Sequence, residues 1–342
     1  MDVGLFFPFR NPPRWRLPFP AFYAEQLRQI EQAEDLGYDH VWLTEHHFSE
    51  DGYSPALFPL AAAIAVRTST IRIGTFLVLL PLHHPLEVAE NAATVDVLSD
   101  GRFDLGVGLG YVPHEFAGYG ISRRERAQRL EEGLAILRGA WTQDDFAYSG
   151  QHFQLSQVNL SPRPVQQPHP PIWVGGLRRR ATERAARLGC HFLGLSDAAG
   201  QQTYDAALVA SGRDPSDYQS AQLRWVYVAP DADRAWEDTA EHLHYMLHLY
   251  GQWLAEAMDF DGGKYSGVPP LPSASQLRHA DQALIGAPII GTPDDVAAEL
   301  ERHRRAIRTT HLVLGMHLPG LDPAKAKASM ELFAKEVLPI LH

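Results

Sequence analysis

The chain has 342 residues, of which 45% are apolar, and a formal net charge of −11. An acidic surface repels phosphate backbones and anionic lipid head groups, so neither nucleic acid nor membrane is an expected partner. With one cysteine, no recognisable signal peptide and no apolar stretch of about 18 residues, we expect no internal disulfide and a cytoplasmic location.

Short apolar runs alternate with longer amphipathic stretches along the chain. In chain order, the predicted strands are 3–7, 40–43, 71–75, 103–107, 171–175, 192–195, 223–228 and 311–315. The predicted helices are 21–36, 55–67, 86–98, 123–139, 179–188, 231–250, one that begins at Thr292 and Pro293, and 323–337. Eight strands separated by helices predict the α/β class and a (β/α)8 TIM barrel, a single domain over 1–342. An open doubly wound sheet is the alternative.

Two stretches interrupt this alternation. Residues 141–170 follow the fourth strand–helix unit and are rich in proline, so we predict an insertion that contains a short hairpin. Residues 251–288 follow the seventh unit and contain many Gly, Pro and Ser residues, which is typical of a lid or long loop. Trp253, Met258, Phe260 and Tyr265 in the second stretch indicate an apolar ligand, although loop aromatics also pack against barrels.

Polar and glycine residues follow four of the predicted strands at their carboxyl ends, where barrels of this type place their active sites. We expect the four groups to face one cavity. They are Glu45, His46 and His47; Thr75 with His83 and His84; Gly110, Tyr111 and Glu115; and Gly175, Gly176, Leu177 and Arg178 to Arg180.

The histidines have both catalytic and structural interpretations. Adjacent side chains on an extended segment point in opposite directions, so only one of His46 and His47 readily faces the cavity. Glu45 is expected to orient an imidazole as a proton-transfer group. His84 either acts in the site or caps the following helix. A metal-dependent hydrolase remains an alternative, but we expect no metal, because ligands on one strand need His-x-His spacing.

The Gly175–Gly176 turn leads from the fifth strand into a helix that opens with three arginines. Backbone N–H groups at a helix N-terminus bind anions, and the helix dipole strengthens the attraction. This corner therefore predicts a phosphate site, with a solvated arginine face as the alternative.

The order of motifs resembles that of the bacterial-luciferase-like flavin-dependent monooxygenase family through almost the whole chain. The segments that carry the resemblance are GYDHVWLTEHHFSEDGYSP at 37–55, IRIGTFLVLLPLHHP at 71–85, AENAATVDVLSDGRFDLGVGLGYVPHEFAGYG at 89–120, PPIWVGG at 170–176 with ERAARLG at 183–189, and IIGTPDDVAAEL at 289–300.

The resemblance implies an enzyme that uses reduced flavin mononucleotide (FMN), supplied by a separate flavin reductase, and oxygen to oxidise a small organic substrate. It implies that His46 is catalytic, with Glu45 beside it as a second catalytic residue. It also implies that Thr75, Phe76 and Leu77 pack under the flavin ring, with a cis peptide bond at Phe76–Leu77. The residues implied near the ribityl chain and phosphate are Gly110, Tyr111, Gly175, Gly176, Leu177 and Arg178.

One position departs from the family pattern. Many members have an arginine at the position of Leu109, where it binds the phosphate. Either Arg178 or Arg179 takes this role, or the flavin binds weakly and exchanges like a substrate. The alternatives are a dehydrogenase or reductase that uses the deazaflavin coenzyme F420, and a flavin-binding protein without turnover. The resemblance also implies a homodimer, formed through helices near 54–68 and 86–98.

Overall fold

The computed structural model describes residues 1–176, 179–195, 198–260, 271–279 and 287–342. Leu177, Arg178 and Tyr265, which the sequence analysis singled out, lie outside the described residues. The strands are β1 (Asp2–Phe7), β2 (His40–Leu43), β3 (Arg72–Thr75), β4 (Phe103–Val107), β5 (Phe146–Ser149), β6 (Gln154–Val158), β7 (Ile172–Gly175), β8 (His191–Gly194), β9 (Ser220–Val228), β10 (Ile289–Gly291) and β11 (His311–Gly315).

Eight of these strands form a closed parallel barrel. The order around the barrel is β1, β2, β3, β4, β7, β8, β9 and β11, and β11 pairs again with β1. The prediction of a TIM barrel is confirmed, and each of the eight predicted strands is present. The strand β10 was not predicted and pairs with the carboxyl end of β9. The strands β5 and β6 form an antiparallel hairpin within the first predicted insertion.

Helices pack around the outside of the barrel. They are α1 (Phe19–Asp35), α2 (Leu57–Ala65), α3 (Pro85–Leu98), α4 (Pro113–Gly118), α5 (Arg126–Thr142), α6 (Arg179–Arg187), α7 (Ala198–Ala210), α8 (Ala232–Phe260), α9 (Pro293–Ala306), α10 (Pro323–Glu336) and α11 (Leu338–Leu341). None of the helices in the described part of the chain is both long and apolar enough to cross a membrane.

Four helices of the described chain differ from the sequence prediction. The short helices α4 and α11, of six and four residues, were not predicted because so few residues show no helical periodicity. The helix α7 was missed because alanines and glutamines dominate it and only Gln201, Tyr204 and Leu208 are buried, which leaves little hydrophobic periodicity. The helix α8 continues to Phe260, so the first part of the predicted loop 251–288 is helical. Trp253 and Ala257 are four positions apart, so they lie on the same face of α8, and both are buried. This face packs the last turns of the helix against the rest of the protein.

Aromatic side chains fill the barrel interior. Phe6, Trp42, Phe76, Trp173 and Trp225 belong to one buried cluster inside the strands. Glycines on neighbouring strands provide the room for them, since a Cβ atom at Gly74 would lie 2.3 Å from Trp42 Cε3 and one at Gly315 would lie 2.3 Å from Trp225 Cε3. The interior is therefore a packed core, and a ligand must bind at the ends of the strands.

Candidate active site

The carboxyl ends of β2, β3, β4 and β7 meet around the segment that follows β3. The backbone amide of Leu79 donates to Glu45 Oε2 at 2.8 Å, which ties this segment to the end of β2. The side chain of Leu77 lies against Gly108 and Gly175, where added Cβ atoms would approach it within 2.5 and 2.3 Å. The Phe76–Leu77 peptide bond is cis, as predicted. The described part of the predicted cluster therefore shares one region of space.

The imidazole of His46 is held by a carboxylate that follows β4. His46 Nδ1 lies 2.8 Å from Glu115 Oε1, which also accepts the backbone N–H of His47 at 2.9 Å. Glu115 is buried. Because the carboxylate accepts, Nδ1 carries the proton, and Nε2 is the ring nitrogen that can take up or release a proton.

Aromatic rings surround His46. The centroid of its ring lies 4.4 Å from Trp253, 4.7 Å from Tyr53 and 5.8 Å from Tyr111. The hydroxyls of Tyr53 and Tyr250 are 2.9 Å apart, which links the loop after β2 to α8. Burial raises the pKa of both Tyr53 and Tyr111 well above the ordinary value, so both phenols are neutral near pH 7. We call Tyr53, Tyr111, Tyr250 and Trp253 the aromatic wall.

Glu45 orients two imidazoles, but His46 is not one of them. The Nε2 atoms of His47 and His83 each lie 2.6 Å from Glu45 Oε1. The expectation that Glu45 orients an imidazole is met by His47 and His83, because side chains alternate along the extended segment and place residues 45 and 47 on the same side.

This buried cluster carries charge. Burial raises the pKa of Glu45, but hydrogen bonds from His47 and His83 outweigh burial and lower that pKa to about 2. Burial lowers the pKa of His83, but the bond to Glu45 outweighs burial and raises that pKa above its ordinary value. The carboxylate is therefore ionised, and His83 holds its proton more tightly than a free imidazole does.

A buried ion pair beside the aromatic wall was missed by the sequence analysis. Arg10 Nε lies 2.6 Å from Asp51 Oδ2, and the two side chains are 1% and 0% exposed. The Arg10 guanidinium carbon lies 4.9 Å from the ring centroid of Tyr53 and 5.5 Å from that of Tyr250. Arg10 follows β1. Active-site residues of such barrels follow the carboxyl ends of the strands, so the same rule applied to the first strand would have identified Arg10.

The predicted phosphate corner is described only in part. Gly175 ends β7 and Gly176 follows it, whereas Leu177 and Arg178 lie outside the described residues. Arg179 Nε lies 2.7 Å from Glu183 Oε1, and the Arg179 side chain is 81% exposed. This surface pairing does not support Arg179 as the replacement for the family arginine at Leu109. The role of the corner stays a prediction.

Two further residues have local partners. His84 Nδ1 accepts the backbone N–H of Leu86 at 3.3 Å and caps α3, in agreement with the helix-cap alternative. Thr75 Oγ1 donates to the carbonyl of Gly106 at 2.8 Å and accepts its N–H at 2.9 Å. Thr75 thus fixes the end of β3 against β4.

Glycines at the carboxyl end of β4 allow close packing beside Leu77. A Cβ atom at Gly106 would lie 1.9 Å from the carbonyl oxygen of Thr75, so this approach of two strands requires glycine. Gly110 has a φ of +67°, which favours glycine, and its carbonyl accepts from Arg126 at 3.0 Å. Both glycines belong to β4 and the segment after it, and the absence of a Cβ atom lets neighbouring parts of the chain pack closely at this end of the barrel.

Comparison with known proteins identifies the family. The family described as luciferase-like monooxygenase matches residues 1–310. A 4-hydroxyprotoasukamycin monooxygenase from Streptomyces nodosus is 30% identical over 92% of this chain and 85% of its own. The oxygenase component of the flavin-dependent trigonelline monooxygenase from Acinetobacter baylyi is 25% identical over 93% and 89%. An F420-dependent glucose-6-phosphate dehydrogenase from Amycolatopsis mediterranei is 27% identical over 91% and 92%.

Three further similarities are a match over about half of the chain and two superpositions on crystal structures. The match to the uncharacterised protein y4wF of Sinorhizobium fredii is 38% identical but spans about half (49%) of each chain. The crystal structure of the monooxygenase RslO1 from Streptomyces bottropensis superposes with a TM-score of 0.84 at 28% identity over both whole chains. An FMN complex of the oxygenating constituent of 3,6-diketocamphane monooxygenase from Pseudomonas putida superposes with a TM-score of 0.82, at 22% identity, over 99% of this chain and 98% of its own.

Proposed function

Since this chain belongs to the luciferase-like monooxygenase family and is a flavin-dependent monooxygenase, we propose that it takes reduced FMN from a separate flavin reductase and oxidises a small, apolar organic substrate. The trigonelline enzyme is named as an oxygenase component, which supports a separate source of reduced flavin. The acidic net charge of −11 agrees with a small-molecule substrate, since such a surface repels nucleic acid and anionic membranes. We propose a cytoplasmic location.

We propose that the flavin ring lies beside the Phe76–Leu77 segment, between the ends of β3, β4 and β7. When bound, the flavin supplies the reaction with oxygen and the transfer of one oxygen atom to the substrate. Thr75 and Gly106 keep the two strand ends together, and Gly110 and Tyr111 would lie along the ribityl chain. Gly175 and Gly176 lead to the corner proposed for the phosphate, with Leu177 and Arg178.

His46 is proposed as the catalytic proton-transfer group, and its contact with Glu115 is the observation that carries the proposal. The carboxylate fixes the Nδ1–H tautomer and stabilises an imidazolium, so Nε2 can accept a proton and return it. The buried aromatic wall excludes water around this nitrogen, which strengthens electrostatic interactions there. Glu45 acts by holding His47 and His83, and we assign it a positioning role.

The aromatic wall also suggests what the substrate looks like. Its four rings offer broad apolar faces with hydroxyls at the edges, which suits a substrate with a flat or hydrophobic body.

We further propose a homodimer through α2 and α3, the contact that the family resemblance implies. Val66, directly after α2, is 66% exposed and Val97 of α3 is 42% exposed, so both are accessible to a second copy. Light scattering of the purified protein tests the dimer, and a monomer would contradict it.

The decisive experiment is an anaerobic titration of the protein with reduced FMN and with reduced F420. We expect reduced FMN to bind, and aerobic mixing to consume oxygen. Retention of F420 in preference to FMN would favour the dehydrogenase alternative. Failure to bind either compound would contradict the proposal.

A further inference from the structure

A second cluster of ionisable side chains lies at the amino end of the barrel, away from the proposed active site. Asp2 begins β1, His40 begins β2 and His311 begins β11. The three strands are neighbours, and the parallel register places Asp2 opposite His311. The ring centroids of His40 and His311 are 4.8 Å apart. The cluster shares no residue with the flavin site.

His311 lies between Thr310 and Asp2. Its Nδ1 atom lies 2.8 Å from Thr310 Oγ1, and its Nε2 atom lies 3.2 Å from Asp2 Oδ2. Thr310 Oγ1 also lies 3.0 Å from the carbonyl oxygen of Ser220, to which its own proton can be donated. In that arrangement Nδ1 donates to Thr310, and Nε2 has a lone pair available for a cation beside Asp2.

His40 provides an independent observation. The side chain is 2% exposed, and among the described residues its Nδ1 atom is buried without a hydrogen-bond partner. A buried imidazole nitrogen without a partner costs free energy, because its hydration is lost and not replaced. One ring nitrogen of His40, one of His311 and one oxygen of Asp2 all lie within 4.8 Å of one another.

We propose that Asp2, His40 and His311 bind a divalent transition-metal ion of the zinc class. Zinc bonds of about 2.0–2.1 Å in tetrahedral geometry separate neighbouring ligand atoms by about 3.3 Å. The distance of 3.2 Å between His311 Nε2 and Asp2 Oδ2 matches this separation. When His311 binds a metal through Nε2, its Nδ1–H can donate to Thr310 Oγ1 at 2.8 Å, the kind of outer contact that orients a metal-binding imidazole.

The separation expected between zinc ligands excludes a zinc site at the second histidine–carboxylate cluster, formed by Glu45, His47 and His83. His47 and His83 lie 2.6 Å from Glu45 Oε1, which is too short for ligands that share an ion and is ordinary for a charged hydrogen bond. At the amino end, the nearby Asp104 is engaged by Arg72 at 2.8 Å and lies 3.8 Å from His40 Nε2. An ion bound there would join the beginnings of three barrel strands, so we infer a stabilising role.

Calorimetric titration of chelator-treated, untagged protein with Zn²⁺ tests the site. We expect one equivalent to bind, the melting temperature to rise with Zn²⁺, and Asp2→Asn to weaken binding at least tenfold. Asp2 is partly exposed, so this variant should fold. His83→Gln is the matched control and should bind like the parent. Absence of stoichiometric binding, equal affinity in Asp2→Asn, or loss of binding in His83→Gln would each overturn the proposal, leaving an ordinary contact between His311 and Asp2.

Discussion

His46 Nδ1 lies 2.8 Å from Glu115 Oε1, and the two residues are 69 positions apart in the sequence. The contact joins the end of β2 to the short helix α4, which follows β4. It leaves Nε2 as the nitrogen able to exchange a proton beside the aromatic wall. The orientation of His46 therefore depends on Glu115. The neighbouring Glu45 points to the opposite side of the segment, where it contacts His47 and His83.

Replacing Glu115 by Gln should lower kcat by about tenfold or more, with little change in the KM for the substrate. The amide oxygen can still accept from Nδ1, but the negative charge that stabilises the imidazolium is lost. Steady-state oxygen consumption with reduced FMN measures both constants. Glu256→Gln is the matched control, because Glu256 accepts from His114 at 2.8 Å on the partly exposed α8 surface. Equal kcat in the two variants would argue against the positioning role.

Replacing His46 by Asn should reduce kcat about 10²–10⁴-fold, the usual contribution of a proton-transfer residue. Reduced FMN should still bind within a few-fold of the parent affinity, because His46 is proposed to act on protons and not to hold the flavin. Anaerobic fluorescence titration gives the affinity, and single-turnover assays give the rate. A variant that turns over normally would show that another group transfers the proton.

The Glu45 cluster predicts a pH window of stability. The pKa of Glu45 is lowered from 4.5 to about 2, so its stabilisation is present above about 4.5 and disappears as the pH falls through about 2. The pKa of His83 is raised from 6.5, so its stabilisation is present below 6.5 and disappears as the pH rises through the raised pKa.

Urea unfolding from about pH 2 to about pH 8 tests this window against the His83→Gln variant. The difference in unfolding free energy between parent and variant should be largest between about pH 4.5 and about pH 6.5. It should shrink on both sides, because one of the two charges is lost there. A difference that does not change with pH would show that His83 stabilises the fold by packing alone.

Replacing Arg10 by Met should reduce the unfolding free energy by about 3–5 kcal/mol, because Asp51 is then a buried charge without its partner. The double variant Arg10→Met with Asp51→Asn should recover part of this loss. Arg67→Met is the control, since the Arg67–Glu31 pair is 40% and 36% exposed and should contribute less than about 1 kcal/mol. Equal effects of the two single substitutions in urea unfolding would contradict a special role for the buried pair.

The sequence by itself determined the alternation of eight strands with helices, and the pairing of β1 with β11 decided for the closed barrel over the open sheet. The barrel strands are buried on both faces, so their sequences are short, continuous apolar runs. Because active sites of such barrels lie at the carboxyl ends of the strands, the sequence also predicted that Glu45, His46, Thr75 and Gly175 lie at one edge. The helix α7 was not predicted, because its alanines and glutamines give little hydrophobic periodicity.

Only the tertiary structure decided which groups meet at that edge. Glu115 reaches His46, and Arg10 reaches Asp51, through the register of strands that are distant in sequence. Trp253 covers His46 because α8 extends beyond its predicted end. The local sequence pattern indicates whether a residue is buried. The hydrogen-bond partner of a buried polar group depends on how distant elements pack, because each buried donor needs an acceptor nearby.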